Sequence, residues 1–88
     1  MSNIIKSILV SASSTISVAT FPSVTTNLEI YNEGPDNVFF QTDNETVNIT
    51  NGILVPSGKS YKAWLNVLKV NLLCDSGETA QVRVIGQM

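Results

Sequence analysis

In the last third of the chain, polar and apolar residues alternate on either side of a tight turn. Val70, Leu72 and Cys74 share one parity of Lys69–Asp75, and Ala80, Val82 and Val84 share one parity of Glu78–Ile85. Successive side chains of a strand point to opposite faces, so this period of two predicts a pair of strands half-buried against a core. Between them, Asp75-Ser76-Gly77-Glu78 offers a glycine for positive φ and short polar side chains that bond their own backbone. The pair reads as a β-hairpin.

The same grammar runs through the rest of the chain. Strands are expected at Ile4–Val10, Thr15–Thr20, Asn27–Asn32, Asn37–Thr42, Thr46–Thr50, Ile53–Val55, Ser60–Leu65, Leu68–Cys74 and Thr79–Ile85. Turn signals separate them, among them Phe21-Pro22-Ser23, the stretch from Asn32 to Asn37, Asn51-Gly52 and Pro56-Ser57-Gly58. Asn51-Gly52 between two apolar runs predicts a type I′ hairpin, and Pro22 and Pro35 are expected outside strands. No helical periodicity is sustained. Seven to nine short strands at this spacing predict an all-β, antiparallel β-sandwich or jelly-roll-like fold. Its expected core is Leu28, Ile30, Val38, Phe40, Leu65, Val70, Leu72, Cys74, Ala80, Val82 and Val84.

With 88 residues, the chain reads as a single domain spanning 1–88. A core of that size gives a monomer only marginal stability. The segment from Met1 to about Ser14 alternates poorly and is expected to be an N-terminal arm that packs onto a neighbouring subunit or another protein, adding a strand to a sheet edge rather than completing its own domain. Only 14% of residues are charged, against about a quarter in ordinary domains. That fits a surface covered by neighbours, or equally a soluble β domain rich in Ser, Thr and Asn.

Composition argues against several chemistries. There is no histidine, hence no usual general base and no common transition-metal ligand, and one cysteine permits neither an intrachain disulfide nor a thiolate zinc cluster. The five basic residues are scattered and the net charge is −2, so no phosphate-neutralising patch is legible and no nucleic-acid partner is expected. No apolar run approaches the ~20 residues of a membrane helix, and Lys6 interrupts the N-terminal apolar stretch, so neither a membrane span nor a secretory signal is expected. The sequons at Asn44 and Asn48 read as chance in an Asn/Thr-rich chain.

The acidic pairs Asp43/Glu45, Glu33/Asp36 and Asp75/Glu78 have the residue types for acid–base work or calcium. Each lies in a turn, where carboxylates solvate backbone, and none has a calcium-loop spacing. Cys74 falls on the inward parity with no histidine to activate it, and reads as a small buried hydrophobe. No catalytic, cofactor-binding or metal-binding residue is expected.

What remains are large apolar side chains on polar parities. Trp64 lies with Lys62 and Asn66, Phe39 with Asn37 and Gln41, Leu73 with Lys69 and Asn71, and Ile85 with Arg83. Several together predict a second buried surface, with Phe39, Trp64, Leu73 and Ile85 as its interface residues. The competing reading is that β-bulges shift register and return Trp64 and Phe39 to the core.

From Ile30-Tyr31-Asn32-Glu33-Gly34-Pro35-Asp36-Asn37-Val38-Phe39, through Val55-Pro56-Ser57-Gly58, to Ala80-Gln81-Val82-Arg83-Val84-Ile85-Gly86, the chain resembles small virion proteins of tailed bacteriophages. The pattern is a strand entering Asn-x-Gly, a Pro-x-Gly turn, and a closing Ala-x-Val-x-Val strand, covering about residues 27–86. The resemblance implies a sandwich-like capsid decoration (cement) or neck/tail accessory protein, without enzymatic activity. Its implied partners are its own copies and viral capsid or tail proteins, a capsid protein being the alternative seat for the N-terminal arm. The marginal core, low charge and off-parity apolar residues predict a homo-oligomer, a trimer or dimer. The implied location is the virion, after synthesis in the host cytoplasm. A second class is a carbohydrate- or cell-surface-binding module, with Trp64, Tyr31 or Phe39 stacked on a sugar ring. The two classes differ in whether these aromatics are covered by another subunit or lie open in a groove beside amide and carboxyl groups.

Overall fold

The computed structural model describes residues 4–88. Eight strands run in the order β1 (Ile5–Ala12), β2 (Ser17–Thr20), β3 (Asn27–Pro35), β4 (Val38–Thr42), β5 (Ile53–Val55), β6 (Ser60–Ala63), β7 (Lys69–Leu73) and β8 (Ala80–Gln87). They form two four-stranded antiparallel sheets, β1-β8-β3-β6 and β2-β7-β4-β5, and no helix occurs among the described residues. The protein is an all-β sandwich.

The inward parity supplies the core. Leu28, Ile30, Val82 and Val84 face in from the first sheet; Val38, Phe40, Val70 and Leu72 face in from the second. All the expected core residues are buried except Leu65, which is half-buried against the cluster. Phe40 of β4 meets Tyr61 of β6 edge-on, with ring centroids 5.1 Å apart, which ties the second sheet to the first. Ala12, Ala19, Phe21, Val55 and Val67 complete the cluster. Phe21 and Val67 come from connections rather than strands.

Several expectations are corrected. The terminal pair is not a hairpin, because β7 belongs to the second sheet and β8 to the first. The turn itself forms, with Glu78 N–H donating to the Asp75 carbonyl and Gly77 at φ 77°, yet it carries the chain across the sandwich. Alternation fixes which side chains point inward; it is identical for strands that pair and for strands that face each other across a core. No strand forms at 46–50, and Gly52 is not among the positive-φ residues. Instead, Asn48 Oδ1 accepts from the N–H groups of Thr50 and Asn51, while Asn51 Nδ2 donates to the Thr46 carbonyl. Side-chain amides close this loop, replacing the I′ turn.

Pro35 lies inside β3, as its last residue, rather than outside a strand. The strand expected at Ser60–Leu65 stops at Ala63, leaving Trp64 and Leu65 beyond it. The N-terminal arm also looks different: Ile5–Ala12 pairs along its whole length with β8 of the same chain, from Ile5↔Gln87 to Ala12↔Ala80. Ile8, Val10 and Ala12 pack toward the core, so β1 is an edge strand of its own sandwich. Residues 1–3 of the expected arm lie outside the described residues.

The Asn-x-Gly and Pro-x-Gly turns meet in space. Asn32 N–H donates to the Lys59 carbonyl, and Gly58 N–H donates to the Asn32 carbonyl. The β3 register shifts between Asn32 and Gly34, and Gly34, at φ 90°, stands so close to Ser57 that a Cβ there would lie 2.6 Å from its Oγ. Glycine is needed at that position for both its backbone angle and its lack of a side chain.

Candidate binding surfaces

At least one carboxylate of each acidic pair is bound into the scaffold. Asp43 Oδ1 accepts the N–H groups of Leu68 and Lys69, capping the entry to β7. Asp36 accepts the Thr79 N–H, Asp75 accepts the Ser76 N–H, and Glu33 pairs with the Arg83 guanidinium. Among the described residues, no three His, Cys, Asp or Glu side chains come together as metal ligands. Cys74 is buried, and its thiol is pushed above its ordinary value, first by burial and then by the Glu78 and Asp36 carboxylates. Both effects disfavour a thiolate, the form a nucleophile requires.

The four off-parity apolar residues do point outward, but they do not share a surface. Phe39 and Leu73 lie on the outer face of the second sheet; Trp64 and Ile85 lie on the outer face of the first. A single interface built from all four is therefore corrected to two faces on opposite sides of the sandwich. Parity alone cannot separate them, because it distinguishes in from out within one strand but not which sheet the strand joins.

On the second sheet, register aligns Leu73 of β7 with Phe39 of β4 and Phe39 with Leu54 of β5. The result is an apolar row across three strands. Ile16, just before β2, extends it, since the Ser17↔Leu72 pair puts Ile16 beside Leu73. Phe39 and Leu73 are half-buried, whereas Leu54 and Ile16 are exposed. Loop 43–52 borders the row. A Cβ on Gly52 would lie 2.6 Å from the Phe39 Cβ and 2.7 Å from the Asn48 carbonyl oxygen, so glycine allows the loop to approach this closely. Gln41 and Asn71 donate to loop carbonyls of Asn51, Asp43 and Glu45.

On the first sheet, Trp64 is 84% exposed, the highest value among the large apolar side chains of the described residues. It follows Ala63, the register partner of Leu28, and so leaves the edge of the sheet beside Asn27. The Thr25 hydroxyl fixes the segment behind it, donating to the Leu65 carbonyl at 2.8 Å and accepting the Val67 N–H at 3.2 Å. Trp64, Ile85 and Ile5 line an open cleft of about 410 Å³. Its polar lining is Asn27, Gln87, Glu29 and Lys62. Asn27 Nδ2 donates to Gln87 Oε1 at 2.9 Å, and the Glu29 carboxylate lies 3.9 Å from the Lys62 ammonium. Tyr31, also outward, stands beside Arg83 and Ser60 and is not part of the cleft.

Sequence reasoning singled out Trp64 and Ile85 but missed Asn27, Gln87, Glu29 and Thr25. The available signal was parity: Asn27 and Glu29 alternate with core residues Leu28 and Ile30, and so had to point outward. No protein-family model matches the chain, no curated protein matches its sequence, and no solved structure matches its fold.

Proposed function

We propose that this chain is a non-enzymatic virion structural protein: a small capsid decoration, cement or accessory protein that binds the viral lattice and its own copies. The observation that carries this reading is the Leu73–Phe39–Leu54 row, flanked by exposed Ile16 and Val18 on the outer face of the second sheet. An apolar strip running across strands, with no ion pair along it, is what a small domain offers to a neighbouring protein. The resemblance of residues 27–86 to tailed-phage virion proteins supplies the kind of neighbour. The bound-up carboxylates and the protonated, buried Cys74 fit a protein that works through surfaces rather than chemistry.

The test is co-sedimentation with tailed-phage capsids, comparing wild type with Leu54→Asp. Wild type is expected to pellet with the capsids and the variant to stay in solution, both with unchanged β-type circular dichroism. A wild-type protein that remains monomeric at micromolar concentration and ignores capsids and tails overturns the reading.

A further inference from the structure

We infer that the Trp64 cleft is a saccharide-binding subsite, in which a neutral pyranose ring stacks on the indole and hydrogen-bonds to Asn27, Gln87 and Glu29. This goes beyond the virion reading and uses the opposite face of the sandwich.

An indole left in water is costly. Tryptophan carries the largest apolar surface of any side chain, and here it is held in water on a segment fixed from behind by Thr25. An exposed aromatic plane on a backbone segment fixed in this way suits a flat ligand with an apolar face. The C–H face of a pyranose is such a surface, and its rim of hydroxyls demands donors and acceptors in the ring plane.

The cleft supplies both. The Asn27–Gln87 bond uses one Asn27 donor and one Gln87 acceptor. Asn27 Oδ1 and Gln87 Nε2 remain, an acceptor and a donor side by side, able to engage neighbouring hydroxyls. Glu29 adds a charged acceptor, whose hydrogen bonds are stronger than those of a neutral group.

Charge decides the class of sugar. Glu29 and Lys62 offset each other across 3.9 Å, so the cleft presents no net charge to attract an anionic or a cationic ligand. A neutral sugar is the best match. The cleft volume of about 410 Å³ falls at the lower end of the range usual for small-ligand sites, and its open form fits a ring or chain end rather than an engulfed molecule.

Trp64 is the only tryptophan in the chain, so intrinsic fluorescence reports on this cleft alone. The experiment titrates purified protein with glucose, galactose, mannose, rhamnose and N-acetylglucosamine, then with bacterial surface oligosaccharides, following Trp64 emission. Free protein is expected to emit as solvent-exposed indole. At least one sugar is expected to give a saturable blue shift or quench. Asn27 and Glu29 are both half-buried. Asn27→Ala, which removes a hydrogen-bonding group, and Glu29→Gln, which exchanges a charged acceptor for a weaker neutral one, are expected to weaken that binding by about fivefold to tenfold each. Calorimetry with Trp64→Ala is expected to show no binding heat.

Three results overturn the inference: no saturable response to any sugar, a response unchanged in both polar variants, or an emission maximum already typical of buried indole in the free protein. The last would mean that Trp64 is covered by another copy. Capsid co-sedimentation of Asn27→Ala separates the two proposals, since the virion reading expects it to bind as wild type does.

Discussion

Asn32 is fully buried, yet it leaves no polar atom without a partner. Its Nδ2 donates to the Asp36 and Val55 carbonyls at 2.8 and 2.9 Å, and its Oδ1 accepts the Gly34 N–H at 2.7 Å. One side chain thus closes the β3 bulge, the approach to β4 and the end of β5. Asn32→Ala strands two buried backbone groups, the Val55 carbonyl and the Gly34 N–H, and the part-buried Asp36 carbonyl. It is expected to cost about 2–3 kcal/mol, lowering the melting temperature by about 10 °C or more in a domain of this size. Differential scanning calorimetry checks it. Cys74 makes a pH-dependent contribution. Its folded thiol loses its proton less readily than an unfolded one, so the associated stability is complete below the ordinary thiol value of about 8.5 and is lost as pH rises through the folded value. The urea midpoint of wild type is therefore expected to fall more steeply than that of Cys74→Val between neutral and strongly alkaline pH. Parallel slopes would show that the thiol contributes nothing of this kind.

At the scale of elements, inward and outward faces were legible in the sequence, whereas partnerships between strands were not. The parity of Val70, Leu72, Val82 and Val84 correctly placed all four in the core. It left open that β7 and β8 face each other across that core, because a sheet-to-sheet corner uses the same turn residues as a hairpin. Loop 43–52 misled for a related reason: Asn-Gly signals a tight hairpin only when both flanks are free to pair, and here Asn48 and Asn51 bond their own backbone first. The cleft was half legible, through Trp64, since its other walls come from strands distant in sequence. β8 also holds a constraint no sequence pattern announces. A Cβ on Gly86 would lie 2.6 Å from Thr25 Cγ2 and 2.7–2.8 Å from the Phe21 ring. Gly86→Ala is expected to cost about 1–3 kcal/mol through overpacking. Adding Phe21→Leu should recover part of that, so the double-mutant cycle should show coupling; strict additivity would mean that ring and strand are not in contact.

At the scale of the whole molecule, the Cα trace spans 44 × 24 × 17 Å, a thin slab with two broad faces. One face carries the Leu73–Phe39–Leu54 row, the other the Trp64 cleft, and the two surfaces are independent enough to be separated by experiment. Self-association as a dimer or trimer is proposed to run through the row. The alternative, assembly through charge, has little to work with: Glu29–Lys62 is mostly exposed, Glu33–Arg83 partly so, and such pairs contribute only about 0–1 kcal/mol. Burial of a large apolar side chain contributes about 1.5–3 kcal/mol, so removing it at a contact shared by two copies weakens assembly far more than losing either ion pair. Sedimentation velocity over a concentration series is therefore expected to show wild-type oligomers that persist in high salt, a Leu54→Asp variant shifted to monomer, and a Trp64→Ala variant unchanged from wild type. Oligomers that dissolve in salt would put the contact on charged groups. Oligomers lost in Trp64→Ala but kept in Leu54→Asp would move it to the first sheet, and a cleft covered in that way has no room for a sugar.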